Sequence, residues 1–192
     1  MNTIPFPTPA PGARAKAAEV IKAKSYSRRK VTLASGRVSE FYLDMKPSML
    51  DPEGSNLLAQ LVFERVKDLE FDYIGGLEMG AVPLIAPISM ISFIEHRPIS
   101  GFFVRKERKA HGTMKVIEGD VPDDLSGKRV VILDDVTTTG GSAMEAVEAV
   151  QAAGATVVLV LSVVDREEGA TEFYKNAGIP FDSLFSASDF WP

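Results

Sequence analysis

The sequence predicts an α/β protein with a central, mainly parallel sheet flanked by helices. Short continuous apolar runs at residues 71–76, 99–104, 130–133, 156–164 and 184–187 read as strands buried on both faces. Stretches with helical spacing separate most of them, as crossovers between parallel strands require. Chemistry-bearing residues follow the apolar runs, and open parallel sheets bind ligands beyond the carboxyl ends of their strands.

Taken in order, residues 12–24 read as a short helix with Ala17, Val20 and Ile21 inward. Residues 31–44 mix β-branched and aromatic side chains around Ser35-Gly36-Arg37, a hairpin pattern. Asp51-Pro52-Glu53 starts a helix: a capping carboxylate, a proline in the first turn, then an acid near the positive end of the dipole. Leu58, Leu61, Val62, Val66 and Leu69 continue it at helical spacing. The first strand, 71–76, ends in glycines, and 82–94 reads as a buried helix despite Pro83 and Pro87. Between the third and fourth strands lies an amphipathic helix. Ala143, Ala146, Val147, Val150 and Ala153 share one face, Glu145, Glu148 and Gln151 another, and Gly154 stops it. The chain of 192 residues is expected to be a single domain, with about 1–70 an appendage on a core of about 71–192.

Composition excludes several classes. A domain of this size buries about 70% of its unfolded surface and needs no staples. It contains no cysteine, which rules out disulfides, iron–sulfur clusters, cysteine zinc sites and cysteine nucleophiles, and fits a reducing compartment such as the cytoplasm. The uncharged stretches 79–94 and 149–164 fall short of a membrane span. Residues 1–11 are proline-rich with no basic or apolar region of a secretory signal, and are expected to form a loose arm. A net charge of −5 argues against nucleic-acid binding. Residues 105–111 run against that average, packing Arg105, Lys106, Arg108, Lys109 and His111 into one segment.

The sharpest constellation is Val130-Val131-Ile132-Leu133-Asp134-Asp135-Val136-Thr137-Thr138-Thr139-Gly140-Gly141-Ser142. An apolar strand runs into two acids, then into hydroxyls and glycines at a helix start. Glycines admit close backbone approach, and helix-start amides carry partial positive charge, so the segment is built to cradle a phosphate. No G-K-[ST] follows, so it is not a P-loop. Two acids would repel a phosphate, so they should face neutral hydroxyls such as a ribose diol. The plain alternative is a βα turn capped by one Thr or Ser.

This segment resembles the 5-phosphoribosyl-1-pyrophosphate (PRPP) signature of type I phosphoribosyltransferases. Arg105-Lys106-x-x-Lys109-x-His111-Gly112 resembles the mobile catalytic loop of the orotate phosphoribosyltransferases within that family. Residues 32–37 with Phe41-Tyr42-Leu43-Asp44 resemble its N-terminal hood, residues 74–81 stand where it has a pyrophosphate loop, and Val163-Val164-Asp165-Arg166 stands where it places an arginine on the orotate carboxylate. The resemblance runs from about residue 31 to 166.

It implies the type I fold with a small hood and an enzyme that joins orotate to PRPP, giving orotidine 5′-monophosphate and pyrophosphate in pyrimidine synthesis. The PRPP site would comprise Asp134, Asp135, Val136, Thr137, Thr138, Thr139, Gly140, Gly141 and Ser142, with Arg105, Lys106, Lys109 and His111 meeting the pyrophosphate as the catalytic set. Negative charge grows on the leaving oxygen, and mobile cations neutralise it. Thr138, Arg166, Tyr42 and Leu43 would hold orotate. Magnesium would come bound through PRPP, not caged by the protein. A homodimer with sites shared between subunits is implied, and no nucleic acid or membrane partner. The alternatives are a phosphoribosyltransferase for a neutral base, which would have no carboxylate for Arg166, and a non-catalytic PRPP-binding regulator, which would not need the basic loop.

Two places depart from the family: Ala34, and Leu77-Glu78-Met79, where lysines are common. Glu78 would sit beside an anion there, which is awkward unless its side chain points away. Lys46 stands where arginine is common. His96 reads as a helix exit, Met90 and Met114 as core or loop filler, and Trp191 as an anchor for the tail.

Overall fold

The computed structural model describes residues 12–27, 31–32, 38–39, 41–106 and 115–190. Along the chain come α1 (Ala13–Lys24), β1 (Tyr26–Ser27), β2 (Val31–Thr32), β3 (Val38–Ser39), β4 (Tyr42–Leu43), α2 (Lys46–Met49) and α3 (Pro52–Val66). Then follow β5 (Tyr73–Leu77), α4 (Val82–Ile94), β6 (Ser100–Val104), β7 (Ile117–Gly119), β8 (Arg129–Thr137), α5 (Gly141–Ala152), β9 (Thr156–Asp165), α6 (Ala170–Asn176) and β10 (Phe181–Ser186), closed by a 3₁₀ turn at Ala187–Asp189.

The main sheet has the order β10-β9-β8-β5-β6-β7. All neighbours are parallel except β6 and β7. From β5 the chain builds outward through β6, then returns to the other side of β5 with β8. The strand order therefore reverses between β5 and β8, the switch point at which open sheets leave a crevice.

Alternation along β8 sorts its residues onto two faces. Val131 and Leu133 join the core formed with α1, α3 and α4, while Val130 and Ile132 join the one formed with α5 and Tyr174. Ala17, Val20 and Ile21 of α1 lie in the first of these cores, so the N-terminal segment packs onto the sheet. Asp51 caps α3 as its sequence predicts, its carboxylate accepting from Gly54 N at 3.0 Å. The strand β2 pairs with β3 antiparallel, as the hairpin pattern requires, and β1 pairs with β4.

Several expectations need correction. The first strand is shifted to Tyr73–Leu77, and Phe71 stays outside it under the Arg97 guanidinium. The third strand runs to Thr137, because Asp134, Val136 and Thr137 still pair with β9, so the acid pair lies inside a strand and not after it. The last strand is Phe181–Ser186, displaced toward the N-terminus. The helix α4 is apolar all round but only half covered: Met90 is 54% exposed and Phe93 74%, so Met90 is not core filler. His96 does stand at the helix exit, exposed and with φ 58°. Ala34, Lys109, His111, Met114, Trp191 and the N-terminal arm lie outside the described residues.

Candidate active site

At the switch point a cavity of about 310 Å³ opens between the end of β8 and the turn after β5. One wall carries Asp134, Asp135, Val136 and Ser142, the other Leu77, Glu78, Met79 and Gly80, and Lys46 and Lys106 complete the lining. Asp134 is buried and accepts a 2.7 Å hydrogen bond from Thr137 Oγ1. Burial pushes its carboxyl up to about 7; the Thr137 hydroxyl opposes that rise and the neighbouring Asp135 charge adds to it. Burial also raises Asp135, against the Val136 amide and the Lys46 charge. Lys46 Nζ stands 2.7 Å from Asp44 Oδ1, which raises its own pKa. Both carboxylates stay above their ordinary range despite these partners, and the hydroxyls of a sugar diol can add further donors.

The opposite wall is the close passage of β5. A Cβ at Gly76 would meet Leu133 O at 2.2 Å, and one at Gly80 would meet Asp135 Oδ1 at 2.5 Å, so both glycines are demanded by proximity. Glu78 lines the cavity. Its backbone N donates to Val104 O at 2.8 Å, and its Oε1 accepts from Lys106 N at 3.2 Å, so the carboxylate ties down the chain where the basic segment leaves β6. Arg105 does not line this cavity. It continues the β6–β7 ladder through Arg105 N to Val116 O, and its Nη1 turns to Glu118 Oε1 at 3.4 Å.

Beside the acids, Asp134, Val136, Thr138, Thr139, Gly140, Gly141 and Ser142 line a small cavity of about 60 Å³ at the start of α5. The cap of α5 is Gly140 with φ 97° and no side-chain capping bond. The plain capped turn is therefore not what forms. Thr138, Thr139 and Ser142 make no side-chain hydrogen bond among the described residues, so three hydroxyls and the helix amides remain for a ligand. Thr137 is the exception within the predicted cradle: it is buried and its hydroxyl is committed to Asp134.

Arg166 follows β9 directly, with its N donating to Thr137 O at 2.9 Å. Its side chain is buried, its Nε donates to Glu168 Oε1 at 2.9 Å, and its guanidinium lies 4.5 Å from the centroid of Phe41. Glu167 holds the turn with φ 59°, its N donating to Asp165 Oδ1. Tyr42 and Leu43 sit on β4, next to the Phe41 that Arg166 covers, and Leu43 is buried. Neither they nor Arg166 line the two cavities. The sequence reading missed the roles of Phe41 and Lys46, which leave no local signal; the pairing of Arg166 with Glu168 is the plain alternative that the two-residue spacing offers. Among the described residues no group of three or more His, Cys, Asp or Glu side chains could hold a metal, and no helix is long and apolar enough to cross a membrane.

The acid pair of β8 thus stands beside a glycine- and hydroxyl-lined helix start, an arrangement chemically suited to a phosphorylated sugar, and the family described as "Phosphoribosyl transferase domain" matches residues 49–182. Over 179 residues the chain is 59% identical to an orotate phosphoribosyltransferase of Bradyrhizobium diazoefficiens, covering 92% of this chain and 95% of that one. An orotate phosphoribosyltransferase of Rhodopseudomonas palustris is 56% identical over 178 residues, with the same coverage. The solved Mycobacterium tuberculosis orotate phosphoribosyltransferase in complex with PRPP superposes with a TM-score of 0.75 at 37% identity, covering 93% of this chain and 98% of that one. The chain belongs to the orotate phosphoribosyltransferase family.

Proposed function

We propose that the crevice between β5 and β8 is where this enzyme transfers the 5-phosphoribosyl group of PRPP to orotate, giving orotidine 5′-monophosphate and pyrophosphate in pyrimidine synthesis. The observation that carries the assignment is the buried Asp134 and half-buried Asp135 sharing one cavity with Lys46 and Lys106. Ribose hydroxyls donate to the two carboxylates and favour their ionised form. The 5′-phosphate takes the hydroxyls of Thr138, Thr139 and Ser142 and the amides at Gly140 and Gly141. Breaking the anomeric C–O bond leaves an oxocarbenium-like sugar and puts charge on the leaving pyrophosphate, which Lys106 meets together with Lys109 and His111 of the basic segment. Arg105, held by Glu118, serves better as an anchor for that segment than as a ligand. Adjacent carboxylates from one strand are too few for a magnesium cage. Mg²⁺ fits instead as an ion brought by the diphosphate, where it would offset charge on the leaving group.

Orotate takes the backbone near Tyr42 and Leu43, Thr138, and the Arg166 guanidinium. The chain acts as one domain, with about 1–70 as arm and hood, in the cytoplasm, where its anionic substrates are retained. Its assembly is a homodimer with shared sites, supported by α4, on which Ala86, Met90 and Phe93 recur at i, i+4 and i+7 on an exposed apolar face. The test is orotate consumption with PRPP and Mg²⁺, followed by absorbance. Wild type consumes orotate; Arg166→Ala raises the KM for orotate by at least tenfold and that for PRPP only slightly. Unchanged constants in that variant remove Arg166 from the orotate site, and no consumption by wild type removes the whole reading.

A further inference from the structure

We infer that Tyr174 is a positioning residue for the phosphate cradle: its hydroxyl fixes the Gly140–Gly141 peptide so that the Gly141 N–H faces the ligand. The inference rests on the reading that the cradle takes the 5′-phosphate. Tyr174 is fully buried on α6, 34 residues from Gly140, and its Oη donates to Gly140 O at 2.7 Å. Burial and the nearby Asp134 charge keep the phenol protonated, so it always donates.

The peptide it holds is the one that most needs holding. Gly140 and Gly141 are adjacent glycines, and Gly140 already has φ 97°, so steric barriers to turning the plane between them are low. A trans peptide points its C=O and the following N–H in opposite directions. Anchoring Gly140 O inward, against Tyr174 Oη and Met144 N, therefore aims Gly141 N–H outward. The exposure agrees: Gly140 is buried and Gly141 exposed. The ring is itself immobilised. It stacks on Phe181 at 4.9 Å and meets Phe173 edge-on at 5.2 Å, and a Cβ at Gly140 would strike Phe173 Cδ1 at 2.7 Å. The sheet end thus braces the cradle from behind through α6.

The test is Tyr174→Phe, which keeps the ring and its packing and deletes only the hydroxyl. Ribose 5-phosphate and pyrophosphate are titrated separately by calorimetry, with kcat and the KM for PRPP measured alongside. We expect ribose 5-phosphate affinity to fall and the KM for PRPP to rise about fivefold, the equivalent of one net hydrogen bond. Pyrophosphate affinity and kcat should stay at wild type. A purely structural tyrosine would instead lower the melting temperature with all four constants unchanged, and that result overturns the inference. Phe181→Leu is the control for packing alone: it should lower the melting temperature and leave ribose 5-phosphate affinity intact, and a fivefold loss there equally overturns it. Ser142→Ala separates the two readings. If it weakens ribose 5-phosphate binding and Tyr174→Phe does not, the cradle stands and the positioning role falls. If neither variant weakens it, both fall.

Discussion

Burying a carboxylate without a cation in contact costs stability, and Asp134 carries that cost in the ligand-free protein. Its folded pKa of about 7 exceeds the ordinary 3.8, so the native state binds the extra proton across that interval. Stability is therefore highest below pH 4 on account of this group and falls as pH rises through 7. Asp134→Asn should abolish that fall, gaining on the order of 3 kcal/mol over wild type at pH 8 by urea unfolding while losing PRPP affinity. A variant no more stable than wild type at pH 8 would show that the buried carboxylate is fully compensated. Arg166 shows the opposite condition, a buried cation that is paired with Glu168 and lies over the Phe41 face.

At the scale of elements, the β5 turn and β8 are brought together by glycines, each for a separate reason. Gly76 lets the strands and α4 touch, so Gly76→Ala should cost about 1–3 kcal/mol, read from a denaturation midpoint. Gly80 touches only the Asp135 carboxylate, so Gly80→Ala should leave the midpoint near wild type and raise the KM for PRPP. Equal effects of both on stability would contradict this division. A cap with periodicity made α3 legible, amphipathic spacing made α5 legible, and an unbroken apolar run made α4 legible, because those signals are local. The strand β7 was not legible: three residues with no alternation exist as a strand only because β6 lies beside them. The seven-residue α6 was missed because only Ala170 and Tyr174 mark its buried face. The acid pair was legible as a site but not as part of a strand, since only pairing with Ser162 and Val164 extends β8 that far. The approach of Lys46 to the acids and of Phe41 to Arg166 depends on elements far apart in the chain, and no local signal announces either.

For the whole molecule, the half-covered α4 is the face on which the proposed dimer rests. A helix with Phe93 74% and Met90 54% exposed, and with no charged residue along its length, is unfinished as a surface of a monomer. Light scattering should give twice the 20.8 kDa chain mass, and Phe93→Glu should shift it toward one. If the wild type scatters as a monomer at micromolar concentration, α4 is not the dimer face.

The placement of the acids inside β8 also decides which part of the molecule can fluctuate. Leu133 is paired to Gly76 on one side and Leu161 on the other, and Asp134 continues the β9 ladder opposite Ser162. Local opening cannot release these amides without parting the centre of the sheet, so their hydrogen exchange should report the free energy of global unfolding. Amides of β7, paired on one side only at the sheet edge, should exchange through smaller openings. Faster exchange at Asp134 than at the core positions Val131 and Ile132 would count against this. The acids proposed to meet the sugar are thereby mounted on a strand paired at the centre of the sheet, while Arg105 and Lys106, where the basic segment begins, stand beside the edge strand β7.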